Sequence, residues 1–244
     1  EQNQDGLLQA RLMAEIGKAD LFKLIPDMPK EFIQSFPAAP LQIRFDVDGN
    51  LNQLNLNTCQ VKIPDYFRME ADGTLRHVLD SISRQGVINL NSDFYRMNFL
   101  QSLTGDFLIP SGTQLRGKAQ MKGNDLQATT KLSHKEGYAE LDGKYNLLTE
   151  AYQADLNIGQ LNLHSFMPMD SLFQLSAQAH VKGEGYDFFS PHTRLKADAA
   201  LSHLQIGSRT LSGVQLQAGL KNSQASMTMN IKDNALQISS QLMH

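Results

Sequence analysis

The sequence predicts an all-β fold: an elongated, strongly curved antiparallel sheet with a few short helices. Three observations support this prediction. Apolar and polar residues alternate along most of the 244 residues, with the period of two that β-strands show. Short polar or glycine-containing segments separate the alternating runs. The runs also resemble one another, which is typical of a sheet that grows by adding hairpins.

The alternating runs predict the strands in chain order. In the first half of the chain they lie at 8–16, 41–47, 54–56 and 67–71. In the second half they lie at 115–121, 126–132, 141–147, 152–158, 173–181, 195–201, 214–220, 227–231 and 236–238. Turn segments are expected at 123–124, 135–137, 182–185 and 221–223. This spacing predicts a long meander of antiparallel hairpins.

Three short segments have apolar residues at helical spacing instead. The first covers 27–37 and stops at Pro37, the second begins with Ser92 as an N-cap, and the third covers 164–172. Short helices of this kind would suit a plug over an open end of the sheet.

The chain is expected to contain two β repeat units that form one continuous structure excised from a longer protein. Residues 1–110 would hold the short plug helices, and residues 111–244 the regular meander. A Leu-x-apolar-x-apolar-x-apolar-[Asp/Lys]-Gly segment begins at Leu41, Leu115 and Leu175. An Ile-Gly-x-x-[Asp/Asn]-Leu segment that ends at proline occurs at 16–26 and 158–168. Each copy should end a strand, turn at its glycine and lead into a helix-like stretch.

Composition excludes several classes of protein. The formal net charge is −3 and no block of Lys or Arg occurs, so we expect no nucleic-acid partner. A single cysteine, Cys59, cannot form an internal disulfide, and its presence does not distinguish a reducing from an oxidising compartment. No apolar run approaches the ~18–20 residues that span a bilayer. Because residues 1–5 are polar and lack an initiator Met, we expect a mature or excised segment whose membrane anchor would lie outside this chain.

Catalytic and cofactor motifs are absent from the sequence. The seven His residues show no metal-ligand spacing, and His180 is interpreted as a solvated side chain; we expect no metal and no cofactor. Carboxylates at positions 46 and 48 share one strand face, and those at 70 and 72 share another. Because of these two pairs, a carbohydrate-active enzyme remains an alternative. Since Asp46 and Asp48 alternate with apolar Phe45 and Val47, we expect them to face water. Cys59 has no activating neighbour in sequence, so a non-catalytic protein is predicted.

Small residues on the predicted inner face suggest an apolar groove. Alanine or glycine stands at many positions where a tightly filled sheet would carry a larger side chain. A face of Ala, Leu and Met would hold an acyl chain, each buried CH₂ contributing ~0.8 kcal/mol. The equal alternative is that helices or aromatic side chains fill this volume. The groove candidates are Leu115, Gly117, Ala119, Met121, Leu175, Ala177, Ala179, Val181, Leu195, Ala197, Ala199, Leu201, Leu216, Ala218 and Leu220.

These features together resemble the periplasmic part of the TamB/AsmA family (translocation and assembly module). The resemblance rests on the alternating strands, the Leu-initiated segments that end at [Asp/Lys]-Gly, the Ile-Gly segments and the sequence Ala-Tyr-Gln-Ala-Asp-Leu-Asn-Ile at 151–158. It implies a periplasmic β-repeat region of a protein anchored in the inner membrane, with a half-open, β-taco-like groove whose interior is apolar. It also implies roles in outer-membrane protein assembly and in phospholipid movement between the membranes. The family pattern contains no catalytic residues, so none is transferred.

Three functional hypotheses follow. The first is an envelope-biogenesis module whose groove takes phospholipid or unfolded outer-membrane protein strands, with an outer-membrane barrel assembly protein reached through regions outside this chain. The second is a structural spacer or adhesin-like repeat segment with a filled core. The third is the carbohydrate-active β-solenoid enzyme.

Overall fold

The computed structural model describes residues 6–187, 189–232 and 237–243, the last range by its backbone only. The fold is mainly β, as predicted: a single large antiparallel sheet that is not closed, with a few short helices. Its strands are β1 (Leu8–Ile16), β2 (Leu41–Gly49), β3 (Gln53–Ile63), β4 (Phe67–Arg76), β5 (Gln85–Phe94), β6 (Thr113–Lys122), β7 (Asp125–His134), β8 (Gly137–Asn146), β9 (Ala151–Asn162), β10 (Leu172–Glu184), β11 (Arg194–Ile206), β12 (Arg209–Leu211), β13 (Val214–Lys221), β14 (Gln224–Lys232) and β15 (Gln237–Met243).

Strand order in the sheet follows chain order, except that β12 pairs only with the end of β11, and β13 continues the sheet beside β11. This is the hairpin meander that the alternating pattern predicts. The predicted run at 236–238 is represented by β15, and its first residue, Leu236, lies outside the described residues.

The helical elements are short. They are α1 (Lys18–Leu24), α2 (Lys30–Ser35) and α3 (Gln101–Thr104), with 3₁₀ turns at Asn98–Leu100 and Leu163–Ser165. The predicted helical segments at 27–37 and 164–172 contain α2 and part of the second 3₁₀ turn. Within the described residues, none of these helices has the length and apolar character that crossing a bilayer requires.

The predicted N-cap at Ser92 is wrong, because this residue lies inside β5. Ser92 is fully buried between Met69 of β4 and Leu115 of β6, and its hydroxyl has no hydrogen-bond partner among the described residues. Gly86 and Ser92 occupy apolar-face positions of this strand, which interrupts the alternation and conceals β5 in the sequence.

Two predicted turns also differ. The turn expected at 182–185 begins later, since β10 runs on to Glu184 and the chain leaves it at Gly185, whose φ is +75°. In the second Ile-Gly motif the chain does not turn at Gly159, which lies inside β9. A Cβ at Gly159 would meet the Tyr138 ring at 2.5 Å, so the glycine makes room for an aromatic side chain. Gly17, in the first copy, does precede a helix, α1.

The chain divides into two compact units. Unit 1 contains the described residues up to Gly123, together with Leu132–Lys135 and Ser165–Met169. Unit 2 contains Asn124–Lys131, Glu136–His164 and the described residues from Asp170 onward.

Unit 1 has an aromatic core, which we name the aromatic plug. It consists of Phe32, Phe36, Ile63, Met97 and Phe99. The rings meet edge to face, with centroids 5.6 Å apart for Phe32 and Phe36 and 5.4 Å apart for Phe36 and Phe99. Helices of six or seven residues are marginal on their own. The burial of Phe32 holds α2 in place, and Phe22 of α1 packs edge to face against Phe36. Ile63 is the last residue of β3, and the partly buried Phe67 and Phe94 are the first residue of β4 and the last residue of β5. The plug therefore packs at one end of these three neighbouring strands.

Candidate functional site

Four strands of unit 2 bring most of the groove candidates into cross-strand register. Ala179 of β10 lies opposite Ala199 of β11, and the same row continues to Leu156 of β9 and Leu216 of β13. Because side chains of directly opposed residues share a sheet face, these rows form one surface. We call it the apolar face of unit 2; its rows are Ala154–Val181–Ala197–Ala218, Leu156–Ala179–Ala199–Leu216 and Ile158–Ala177–Leu201–Val214.

The remaining unit 2 candidates extend this face at its two ends. Leu195 lies opposite Leu220 on β13. Leu175 lies opposite Leu161 of β9, beyond a register shift between Leu175 and Ala177. The sequence therefore identified positions that the fold places together.

The apolar face of unit 2 is neither a packed core nor fully exposed. All of its candidates are half-buried. Among the described residues of unit 2, Leu161 is the only apolar residue classed as buried, with 7% of its surface exposed. The alanines at its centre end at Cβ, so their side chains fill little space above the strands. This surface therefore retains contact with water that an apolar ligand would remove.

The other four candidates lie on β6 in unit 1. Leu115, Gly117 and Met121 are half-buried, whereas Ala119 is exposed. Their partners on β5 are Ser92, Leu90, Ile88 and Gly86. The predicted groove set is thus divided between the two units.

A depression of about 600 Å³ lies on the polar face of the same unit 2 strands. The Leu156–Ala179–Ala199–Leu216 row borders it, together with positions on either side of that row, whose side chains point away from the apolar face. Its polar lining residues are Glu140, Asp142, Asp155, Asn157, Gln178, His180, Asp198, Gln215 and Gln217. Sequence reasoning missed it, because only the strand register shows that these polar positions come together.

His180 lies on this polar surface with 36% of its side chain exposed, and it also contacts a carboxylate. Its Nδ1 lies 2.5 Å from Asp155 Oδ1, and Asp198 occupies the opposite position on β11. The hydrogen bond from His180, followed by one from Gln153, holds the pKa of Asp155 below its usual range. Gln217 donates to Asp198 at 3.1 Å. The depression is a polar, carboxylate-rich surface that would disfavour an anionic ligand.

The four carboxylates behind the enzyme hypothesis are engaged in separate contacts. Asp46 accepts from Arg11 Nε at 3.0 Å, and Asp48 accepts from Asn55 at 2.9 Å and from Asn57 at 3.1 Å. These amide bonds lower the pKa of Asp48.

The other pair belongs to β4, and β3 separates it from β2. Glu70 accepts from Arg68 and Gln60, and Asp72 accepts from Asn89 at 2.8 Å. The Arg68 hydrogen bond is the main cause that lowers the pKa of Glu70. A glycosidase general acid needs a raised pKa, which is the opposite direction.

In the described part of the chain, no group of side chains is assembled for metal binding or for thiol chemistry. No group of three or more His, Cys, Asp or Glu side chains there is placed to hold a metal ion. Cys59 is a free, half-buried cysteine in β3, opposite Phe45 of β2 and Ala71 of β4.

Comparison with known proteins gives no match to a protein-family model, to a curated protein or to a solved structure.

Proposed function

We propose that this chain is a non-catalytic envelope-biogenesis module of the TamB/AsmA type, whose apolar sheet face shields the acyl chains of phospholipid during transfer between the inner and outer membranes. The observation that carries the proposal is the apolar face of unit 2, where rows of Leu and Ala lie in register on four strands and stay half-buried.

The hydrophobic effect supplies the driving force for such a ligand. Each CH₂ group that moves from water onto this surface gains up to ~0.8 kcal/mol. The free energy of binding would therefore become more favourable with each CH₂ group of the acyl chain that contacts the face.

The chemistry of the face favours an acyl chain over a polar ligand. Its backbone groups are already paired within the sheet, since β10 is hydrogen-bonded to β9 and β11, and β11 to β13. Its central side chains, including Ala177, Ala179, Ala197 and Ala199, offer no donor or acceptor. A hydrocarbon chain needs neither, whereas a polar ligand would lose hydrogen bonds to water without replacement.

Clients and location follow from the resemblance and form part of the proposal. Unfolded outer-membrane protein strands, which also present apolar side chains, are the second client class for the same face. The periplasm would be the compartment, in a protein anchored in the inner membrane, and an outer-membrane barrel assembly protein would be contacted through regions outside this chain.

Two variants one residue apart test the proposal. Ala199→Asp places a charge in the middle row of the apolar face, whereas Ala200→Asp places the same charge on the exposed polar face of the same strand. Each purified protein is titrated with a phospholipid that carries a fluorescent acyl chain and is also analysed by native mass spectrometry with lipid extraction. We expect Ala199→Asp to abolish binding and Ala200→Asp to bind like the unchanged chain.

Equal binding by the two variants would place the lipid elsewhere and overturn the assignment of the face. A clean lipid-free mass for the unchanged chain, with no binding in the titration, would support the structural-spacer hypothesis instead.

A further inference from the structure

Three tyrosines, Tyr145, Tyr152 and Tyr186, meet at one end of the apolar face of unit 2. Tyr145 of β8 lies directly opposite Tyr152 of β9. Because Tyr152 stands two residues before Ala154, its side chain lies on the same sheet face as the row that begins at Ala154. Tyr186 follows β10, and its ring stacks on that of Tyr152 with centroids 5.4 Å apart and 13° between the planes. We name these three residues the tyrosine cluster.

A glycine makes room for the cluster on the sheet. A Cβ at Gly183, which lies opposite Tyr152, would come within 2.5 Å of the tyrosine hydroxyl oxygen, so the Tyr152 ring extends over β10. Stacking on Tyr152 covers one face of the Tyr186 ring, yet 56% of Tyr186 remains exposed. The Tyr145 ring is inclined at 45° to that of Tyr186, with centroids 6.0 Å apart. The cluster therefore keeps an aromatic surface that a ligand can reach.

The segment that carries Tyr186 is held by hydrogen bonds on both sides of this residue. Before it, the Gly185 N–H donates to the Glu150 carbonyl at 3.3 Å. After it, the hydroxyl of Thr193, a residue only 2% exposed, donates to the Asp187 carbonyl. Backbone contacts as well as stacking thus define where the Tyr186 ring lies.

The electrostatics of the cluster favour a cation. The face of each phenol ring carries negative charge density, which attracts an ammonium group. Glu150 lies two residues before Tyr152 and forms no ion pair among the described residues. Desolvation of its hydroxyl, followed by a hydrogen bond with Tyr145 and then by neighbouring charges that include Glu150, raises the pKa of Tyr186 to about 12. The rings are therefore neutral at neutral pH, and the charge beside them is a carboxylate.

We propose that the tyrosine cluster binds the ammonium head group of a phospholipid whose acyl chains lie on the apolar face of unit 2. This inference rests on the proposed function and names the class of lipid that the same surface would take. An ammonium group on the exposed part of Tyr186 is stabilised by cation–π attraction and by the charge of Glu150. An anionic head group gains neither and is repelled by the carboxylate.

The position of the cluster fits a head group. Tyr152 and Ala154 are separated by two residues of one strand, a distance of about 7 Å along the sheet. A head group at the cluster and an acyl chain on the alanine rows would therefore occupy adjacent parts of one face.

Two lipids with the same fluorescent acyl chain, phosphatidylcholine and phosphatidylglycerol, separate head-group recognition from acyl-chain binding. Each is titrated into the purified chain. We expect phosphatidylcholine to bind about tenfold more tightly, since only its head group carries an ammonium. Tyr186→Leu should remove most of this preference and leave the binding of phosphatidylglycerol unchanged.

Two variants serve as controls. Tyr186→Phe keeps the aromatic ring and should keep the preference for phosphatidylcholine. Tyr95→Leu removes a tyrosine that is 45% exposed in unit 1, and it should also keep the preference. A preference that persists in Tyr186→Leu would overturn the assignment to this cluster.

The remaining outcomes distinguish this inference from the proposed function. Equal binding of the two lipids by the unchanged chain would overturn the head-group inference and leave acyl-chain binding standing. Failure to bind either lipid would overturn both. Free choline is the last arm of the experiment: if it binds at Tyr186 as tightly as phosphatidylcholine does, the ligand is a soluble ammonium compound and the lipid head group is excluded.

Discussion

Units 1 and 2 are both built from strands in which apolar and polar residues alternate, yet the apolar side chains of the two units have different surroundings. In unit 1, Phe32 comes from α2, Phe36 directly follows that helix and Phe99 comes from a 3₁₀ turn; these rings pack with Ile63 at the end of β3, which is 1% exposed. In unit 2, the rows around Ala179 and Ala199 stay half-buried.

The difference shows that alternation alone does not decide whether an apolar sheet face becomes a core. It specifies which side chains share a face, and a second layer decides whether that face is removed from water. In unit 1 the connections between strands supply this layer. In unit 2 the only described helical residues are Leu163 and His164, the first two residues of a 3₁₀ turn. The proposed apolar ligand would therefore bind to the less covered strands of unit 2.

The largest stability effect should come from the aromatic plug. Phe36→Ala removes a buried ring that meets Phe22, Phe32 and Phe99, and we expect a loss of about 3 kcal/mol in the free energy of unfolding. Leu216→Ala on the apolar face of unit 2 is the matched large-to-small change, and it should cost about 1 kcal/mol because Leu216 is only half-buried. Denaturant unfolding measures both; equal losses would show that the two units are equally packed.

The two copies of the Ile-Gly motif give a sharper local comparison. Gly159→Ala in unit 2 places its methyl group against the Tyr138 ring, whose hydroxyl accepts a hydrogen bond from Asn157 at 3.3 Å. We expect a loss of about 1–2 kcal/mol, since the ring must move from this position. Gly17→Ala in unit 1 meets no atom within 4 Å and should cost about 0.5 kcal/mol, as alanine is a poorer N-cap than glycine. The reverse order of thermal stabilities would contradict this account.

The sequence predicts more of the fold than of the candidate site. Alternation identifies nearly every strand, but β5 is concealed because Gly86 and Ser92 stand where apolar residues are expected. Alternation also identifies which positions share a face with Ala179. It does not specify which residue of the next strand lies opposite, because register depends on turn geometry and on irregularities such as the shift between Ser176 and Ala177. Hence the polar depression around His180 and Asp155 could not be predicted.

Acid should weaken unit 1 through a buried histidine. His134 is 5% exposed, and burial, followed by the charge of Lys135, holds its pKa below the ordinary value. Its ring meets Phe166 edge to face with centroids 5.7 Å apart, and its Nδ1 lies 3.4 Å from Thr113 Oγ1.

The unfolded chain therefore binds a proton at higher pH than the folded chain does. Stability should fall as the pH decreases from about 6.5, the ordinary histidine pKa, toward the lowered value in the folded state. His134→Gln should flatten this part of the curve of unfolding free energy against pH. His192→Gln, in the exposed loop after β10, is the control for removal of a histidine. An unchanged slope in His134→Gln would exclude His134 as the cause.

The smallest stability effect, and the most informative one, is expected from filling the apolar face of unit 2. Ala179→Phe would cost about 1–3 kcal/mol in a filled core, because the added ring has no space there. On the half-buried face described here the ring can lie over neighbouring Ala199 and Leu156, so we expect a change below about 0.5 kcal/mol. The same ring occupies the volume that the proposed acyl chain needs, so lipid binding should be lost while unfolding is unchanged. A large loss of stability would instead show that this face is packed in solution, and the spacer hypothesis would then account better for unit 2.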